Sequence, residues 1–145
     1  MRSCSTNRKS ENRRSGAAAV EFAIVLPIIL TFFLGCVDYG RALHWSIAVS
    51  NAADTGTYYA ATHRVSPITI QDWEAKIRTI VIDELDDHPQ FTADDLDIQI
   101  TSVTEVDGNL LVTVSANYQF RTIVSWPTIP NTIPLKATVT YRQFQ

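Results

Sequence analysis

The most pronounced feature of the chain is an apolar run over residues 17–37. It contains one charged side chain, Glu21, among alanine, valine, isoleucine, leucine and phenylalanine. As a helix it would extend roughly 31 Å, which matches the hydrocarbon core of a bilayer. The pattern therefore predicts a single membrane-spanning helix.

Charges are distributed unequally on the two sides of this run. Five basic residues and one acid precede it: Arg2, Arg8, Lys9, Arg13, Arg14 and Glu11. Because Lys and Arg stay on the cytoplasmic side, we expect the N-terminus inside and the C-terminal part exported. Tyr39 and Trp45 are expected at the outer face of the bilayer, where aromatic rings accumulate.

Two other processing schemes use similar segments. A secretory signal peptide has a shorter apolar region, and no convincing small-x-small cleavage site follows Val37. Gly35-Cys36 leaves lipidation at Cys36 as an alternative, although Phe33 and Leu34 suit such a signal poorly.

Two residues within the run are unusual for a membrane span. A carboxylate such as Glu21 costs roughly 2.5–3.5 kcal/mol there, so such residues are generally functional. Pro27 has no N–H and clashes with the carbonyl of Ala23, which predicts either a kink that matters for assembly or a tolerated proline.

Residues 38–61 lack proline and are predicted to continue the helix. Small residues recur every fourth position, at Ala48, Ala52, Gly56 and Ala60, and so share one face. Such a stripe permits close packing. It is interpreted as packing on the chain's own sheet, with contact to a neighbouring subunit as the alternative.

A second helix is predicted from Asp72, as N-cap, to the region before Pro89. Its apolar face comprises Trp73, Ile77, Ile80, Val81 and Leu85.

From Leu96 the apolar period changes to two, which predicts three strands. The inward-facing sets are Leu96, Ile98, Ile100; then Leu110, Val112, Val114, Ala116, Tyr118, Phe120; and then Leu135, Ala137, Val139, Tyr141. Asp107-Gly108 predicts a hairpin turn, and the phase change at Val103 predicts a bulge near Ser102.

These elements predict an α+β fold. A long N-terminal membrane helix would extend into an exported domain with a second helix and a three-stranded antiparallel sheet, since a sheet with one apolar face needs a cover. The expected organisation is a basic leader at 1–16, a span at 17–37, a helical continuation at 38–61 and an exported α+β domain at 62–145.

Charge and cysteine content narrow the function. Without residues 1–16 the chain has 7 basic and 14 acidic residues, which argues against nucleic acid as a partner. Cys4 and Cys36 lie in the leader and the span, so no disulfide framework is expected.

No arrangement typical of a catalytic or metal site is apparent. His44, His63 and His88 are scattered along the chain, and no nucleophile motif or phosphate-binding glycine loop occurs. The acidic residues Asp86, Asp87, Asp94, Asp95 and Asp97 lack EF-hand spacing and are interpreted as a solvated surface, with calcium binding as the alternative. We therefore expect neither enzyme activity nor a cofactor.

The loop at 123–134 carries Trp126 and several prolines. We interpret it as folding over the sheet edge, with a contact to a partner subunit as the alternative.

The N-terminal third resembles the TadE-like family, minor pseudopilins of tight-adherence (Flp) pilus systems. The matching segments are Arg14-Ser15-Gly16-Ala17-Ala18-Ala19-Val20-Glu21-Phe22-Ala23, Val25-Leu26-Pro27, Gly35, Asp38-Tyr39-Gly40-Arg41-Ala42-Leu43, Asn51-Ala52-Ala53-Asp54 and Tyr59-Ala60-Ala61. Phe22 stands where related prepilins often carry Tyr. No resemblance is apparent beyond residue 61.

The resemblance implies cleavage by a prepilin peptidase between Gly16 and Ala17. It also implies that Glu21 serves assembly by pairing with the new amine on Ala17 of this or an adjacent subunit. Expected partners are the peptidase, other pilins or pseudopilins, inner-membrane assembly proteins and membrane lipid. The expected location is the bacterial inner membrane, with the C-terminal domain periplasmic or extracellular. The main alternative is an uncleaved, membrane-anchored periplasmic binding or scaffold protein.

Overall fold

The structure, a computed structural model, describes residues 8–64, 69–106, 108–125 and 130–143, with side chains from residue 16 onward. Helix α1 (Arg8–Thr62) is followed by helix α2 (Ile70–Asp86) and a 3₁₀ turn (Ala93–Asp95). Strands β1 (Leu96–Thr104), β2 (Leu110–Arg121) and β3 (Thr132–Arg142) complete the chain. This arrangement confirms the predicted α+β fold with a long N-terminal helix, a second helix and an antiparallel sheet.

The chain divides into two compact units between Tyr39 and Gly40, here called the N-terminal and C-terminal units. In the N-terminal unit every residue from Gly16 to Leu34 is exposed. The helix continues through Pro27, and the Thr31 hydroxyl donates a hydrogen bond of 2.8 Å to the Pro27 carbonyl.

The sheet of the C-terminal unit has the order β1-β2-β3, with both pairs antiparallel. Gly108, at φ 80°, lies in the first hairpin, and its N–H donates to the Glu105 carbonyl at 3.0 Å. Asp107, the other predicted turn residue, is outside the described residues.

The prediction of a bulge near Ser102 is wrong. Ser102 pairs with Val112 and the register continues to Thr104 opposite Leu110 without an extra residue. Val103 is out of phase because it lies on the outer face of the sheet, where it is 56% exposed. The apolar side chain there faces water, and no backbone irregularity compensates for it.

Both helices contribute to a core on the inner face of the sheet. The buried residues include Ala48, Val49, Ala52, Ala60, Trp73, Ile77, Val81, Leu85, Val112, Val114, Ala116 and Phe120. The contact between the helices is close: a Cβ added to Gly56 would lie 2.5 Å from Val81 Cγ2. Ile80, predicted on the buried face of α2, is only partly buried.

Two details of the helices differ from the sequence predictions. Helix α2 begins at Ile70 with Thr69 as N-cap, so Asp72 lies in the first turn. Its negative charge there interacts favourably with the helix dipole and stabilises the helix. Trp45, which was expected to present its ring to the outer face of the bilayer, is buried within this chain: it is 5% exposed and stacks on Tyr118, with ring centroids 4.6 Å apart. The partly apolar indole finds an apolar cover in this chain's own sheet.

Polar contacts connect the ends of the C-terminal unit. The Tyr141 hydroxyl donates to Asp54 Oδ1 at 2.7 Å, and this hydrogen bond raises the pKa of Tyr141. Gln143 Nε2 donates to the carbonyls of Ala60 at 3.1 Å and His63 at 2.8 Å. The final strand is therefore tied to the last turn of α1.

Candidate functional site

The residues predicted for processing lie within the continuous helix α1. Gly16 and Ala17 are exposed, and a Cβ added to Gly16 would meet no described atom within 4 Å. The contacts described for this chain therefore do not require glycine at position 16.

Glu21 and Ala17 lie on adjacent turns of the same face, because residues four apart are neighbours on an α-helix. Both are exposed, as is the Phe22 side chain beside them. A cut after Gly16 would create an amine about one helical turn, roughly 6 Å of rise, from the position of Glu21. This spacing is short enough for an ammonium and a carboxylate of one subunit to pair.

Pro27 lies further along the same exposed part of α1. Its neighbours Leu26 and Ile28 are also exposed, so this segment has no cover within the described part of the chain. The proline removes one backbone donor from the helix and leaves the carbonyl of Ala23 without its usual partner.

Helix α1 is long and apolar enough to cross a membrane. One such helix is found among the described residues, at Gly16–Thr62, and none of its most apolar 18-residue window is buried. A buried core helix would pass the same composition test, but its apolar side chains would be covered. The long exposed helix fits a single-pass membrane protein.

The small-residue stripe has a different environment. Ala48, Ala52, Gly56 and Ala60 are all buried in the C-terminal unit, where Gly56 faces Val81 and Ile77. Contact between this stripe and a neighbouring subunit would require those packing contacts to break. Trp126, the other candidate subunit contact, lies outside the described residues.

A cavity of about 150 Å³ opens in the C-terminal unit and was not foreseen from the sequence. It is lined by Arg41, Trp45, Gln90, Thr92, Asp95, Tyr118, Gln119, Phe120 and Arg121. Arg41 belongs to the Gly40-Arg41 pair noted in the sequence. Trp45 lies one turn further along the same helix, whereas the lining residues at 90–95 and 118–121 are distant in sequence and are brought to the cavity by the fold.

Polar and aromatic contacts fix the walls of this cavity. Arg41 Nη2 donates to Gln90 Oε1 at 2.8 Å, and the guanidinium lies 5.1 Å from the centre of the Phe120 ring. Arg121 pairs with Asp95 at 3.1 Å. Burial, and next the carboxylate of Asp95, raise the pKa of Tyr118, so its phenol stays protonated at neutral pH.

The structure also brings together two histidines that are far apart in sequence. The rings of His44 and His88 have centroids 5.4 Å apart, and His88 also contacts Trp45. Across the described ranges, no three His, Cys, Asp or Glu side chains gather in a way that could hold a metal ion. Among the acids considered for calcium, Asp95 pairs with Arg121, and Asp97 accepts a hydrogen bond from Gln99 at 3.0 Å.

Comparison with known families gives one result. The model of the TadE-like protein family matches residues 16–57, less than a third of the 145-residue chain. This confirms the resemblance over the exposed apolar part of α1 and most of its continuation. No curated protein and no solved structure matches the chain.

Proposed function

We propose that this protein is a minor pseudopilin that supports assembly of a tight-adherence type IV pilus. The observation that carries the proposal is the position of Glu21 on an exposed apolar helix, one turn from Gly16 and Ala17, within the segment that matches the TadE-like family. An exposed helix of this kind needs a bilayer or other subunits around it, and the family match favours a pilus system.

The proposed topology follows from charge. The basic residues before Ala17 keep the N-terminus in the cytoplasm, and residues 17–37 cross the bacterial inner membrane once. The C-terminal unit is then periplasmic or extracellular. It needs no disulfide for stability, because its sheet and two helices enclose a core of their own.

In this proposal the protein is a substrate of prepilin peptidase. It cuts between Gly16 and Ala17, removing the basic leader and leaving an amine at the start of the membrane helix. Glu21 then pairs with the Ala17 amine of this or an adjacent subunit, which lowers the cost of holding both charges in lipid. A subunit in the wrong register would leave the carboxylate unpaired, so the pairing also selects the correct alignment.

The proposal requires several partners and no catalytic machinery of its own. The peptidase processes the chain, other pilins or pseudopilins join it through the exposed helix, and inner-membrane assembly proteins receive it. Phe22 and Pro27 lie on the same exposed segment and would contact lipid or neighbouring helices.

Gly16→Leu tests the cleavage site. The larger side chain is expected to abolish processing by the native peptidase, since it occupies the position directly before the cut bond. Gly40→Leu is the matched control. A Cβ added to Gly40 also meets no atom within 4 Å, and Gly40 lies beyond residues 17–37. Conversion to a shorter form is followed by intact mass, and normal shortening of Gly16→Leu would place the cut elsewhere.

Glu21→Ala tests the assembly role. The variant should enter the membrane and be processed, since removing a charge eases insertion, but pili should not form. Asp83→Ala, which removes an exposed acid from α2, should assemble normally. Normal pili in Glu21→Ala would refute the pairing. An unprocessed wild-type protein would favour the uncleaved anchor instead.

A further inference from the structure

We propose that the cavity lined by Arg41 binds the phosphate group of an anionic membrane phospholipid. The proposal rests on residues 17–37 spanning a membrane, but it does not depend on cleavage after Gly16 or on pilus assembly. It assigns a lipid site to the C-terminal unit, which lies mostly outside the matched family segment.

The Arg41 side chain is held in place by two contacts. Its guanidinium donates to Gln90 Oε1 and lies over the Phe120 ring, so its orientation is fixed before any ligand arrives. A guanidinium offers five N–H donors in a planar fork that suits phosphate oxygens. Prior ordering reduces the entropy lost when an anion binds.

The backbone of Gln90, beside Arg41, has an unusual conformation. Its φ of 71° is the single positive value found at a non-glycine residue in the described part of the chain. Such conformations are uncommon and tend to occur at ligand sites, where surrounding contacts maintain them. Here the Arg41 side chain holds the Gln90 amide, and the Tyr118 hydroxyl approaches the Gln90 carbonyl at 3.4 Å.

The charge and the size of the cavity both suit a phosphate group. Two guanidinium groups and one carboxylate line the cavity, whereas residues 17–145 carry twice as many acids as bases. The Arg121 side chain lines the cavity, is 72% exposed and pairs with Asp95, so its guanidinium is accessible to an anion that enters from solvent. At about 150 Å³ the cavity is smaller than the roughly 300 Å³ at which drug-sized ligand pockets begin, so it suits a headgroup phosphate.

The position of Arg41 in the chain favours a lipid as the source of that phosphate. Arg41 follows Val37, the last residue of the apolar run, by four residues. Four residues span at most about 14 Å even when fully extended, so Arg41 must lie near the headgroup layer of a membrane crossed by residues 17–37. Phospholipid phosphate is the abundant anion at that depth.

Native mass spectrometry of the full-length protein in neutral detergent tests the proposal. Phosphatidylglycerol, which is anionic, and phosphatidylcholine, which is zwitterionic, are titrated separately, each with and without inorganic phosphate as competitor. We expect phosphatidylglycerol to bind at least fivefold more tightly than phosphatidylcholine, because choline would bring a positive charge toward Arg41 and Arg121.

Arg121→Gln should weaken phosphatidylglycerol binding about tenfold, through loss of one charge-assisted contact. The matched control is Arg142→Gln. Arg142 also lies at the end of a strand and pairs with an acid, Glu105, at 2.7 Å, but does not line the cavity. Binding by Arg142→Gln should stay within about twofold of wild type. Gln90→Gly, which relieves the positive φ and removes the amide that orients Arg41, should also weaken binding.

Three results would overturn the proposal. Equal loss in Arg121→Gln and Arg142→Gln would indicate general charge attraction. Equal affinity for the two lipids would exclude selection of an anionic headgroup. Strong binding of inorganic phosphate with no advantage for the lipid would make the cavity a site for free anions. Because cleavage after Gly16 is measured independently, none of these results would alter the test of the pseudopilin proposal.

Discussion

Helix α1 contains two consecutive stretches with opposite relations to solvent. Residues 17–34 are apolar apart from Glu21 and Thr31, and all of them are exposed, whereas residues 48–61 bury a face of small residues and leave the opposite face to solvent. Phe32, for example, is 73% exposed, while Ala52 and Ala60 have no exposed surface. One continuous helix therefore serves two environments.

The difference shows how the same element is stabilised in two ways. In the C-terminal unit, small side chains let α2 and the sheet approach, and stability comes from packing within the chain. In the N-terminal unit the large apolar side chains have no such cover from the described residues, which fits a helix that crosses a membrane. This division predicts that equivalent substitutions in the two units have different effects on stability.

The largest expected effect separates two phenylalanines. Phe120→Ala should lower the free energy of unfolding of the C-terminal unit by about 3–5 kcal/mol, since Phe120 is 2% exposed and its loss leaves a cavity. Phe32→Ala, the matched control, should leave this value unchanged within about 0.5 kcal/mol. The full chain in detergent is unfolded with urea, and tryptophan fluorescence reports on Trp45 and Trp73, both buried in this unit. Equal losses would contradict the division.

A smaller effect is expected at two glycines of α1. Gly56→Ala should destabilise the C-terminal unit by about 1–3 kcal/mol, because the added methyl group would lie 2.5 Å from Val81 Cγ2. Gly40→Ala meets open space and should be neutral or stabilising by up to about 1 kcal/mol, through helix propensity alone. The same urea titration measures both. Stabilisation by Gly56→Ala would show that the two helices pack less closely than described.

The smallest effect is a pH dependence at Tyr118. Because the folded protein holds the phenol proton more tightly than the unfolded chain does, stability is retained below pH 10 and falls as the pH rises through the raised pKa. Tyr118→Phe should reduce this alkaline loss when unfolding is measured between about pH 9 and 11. Tyr58→Phe, at an exposed position, should follow the wild-type curve. If the stability of Tyr118→Phe depends on pH in the same way as that of the wild type, the Tyr118 phenol does not cause the alkaline loss.

Elements with a strong, local pattern could be predicted from the sequence. The apolar run, the period of two in β2 and the apolar face of α2 each depend on side chains close together in sequence, and the structure contains all three elements. The start of α2 differs from the prediction: Thr69, not Asp72, is the N-cap. Both residue types favour that position, so the sequence alone does not distinguish them. The bulge was predicted from the apolar Val103, but this side chain is exposed on the outer face of a regular strand.

Features that depend on long-range packing could not be predicted. Tryptophan is a residue type that is common at membrane interfaces, so the sequence suggested that location for Trp45. Its stacking on Tyr118 depends on the packing of β2 against α1. The cavity has the same origin, since Arg41, Gln90 and Arg121 come from three separate parts of the chain. The candidate processing site is the opposite case: Gly16, Ala17 and Glu21 are close in sequence, so local pattern was sufficient to nominate them.

The most direct test of the pseudopilin account is the N-terminus and intact mass of the membrane-extracted protein, expressed together with its native prepilin peptidase. The account predicts a mature chain that begins at Ala17, with residues 1–16 absent. A chain that begins at Met1 would contradict it and favour an uncleaved anchor. A chain that begins at Cys36 would also contradict it, because lipoprotein processing would remove Glu21 altogether.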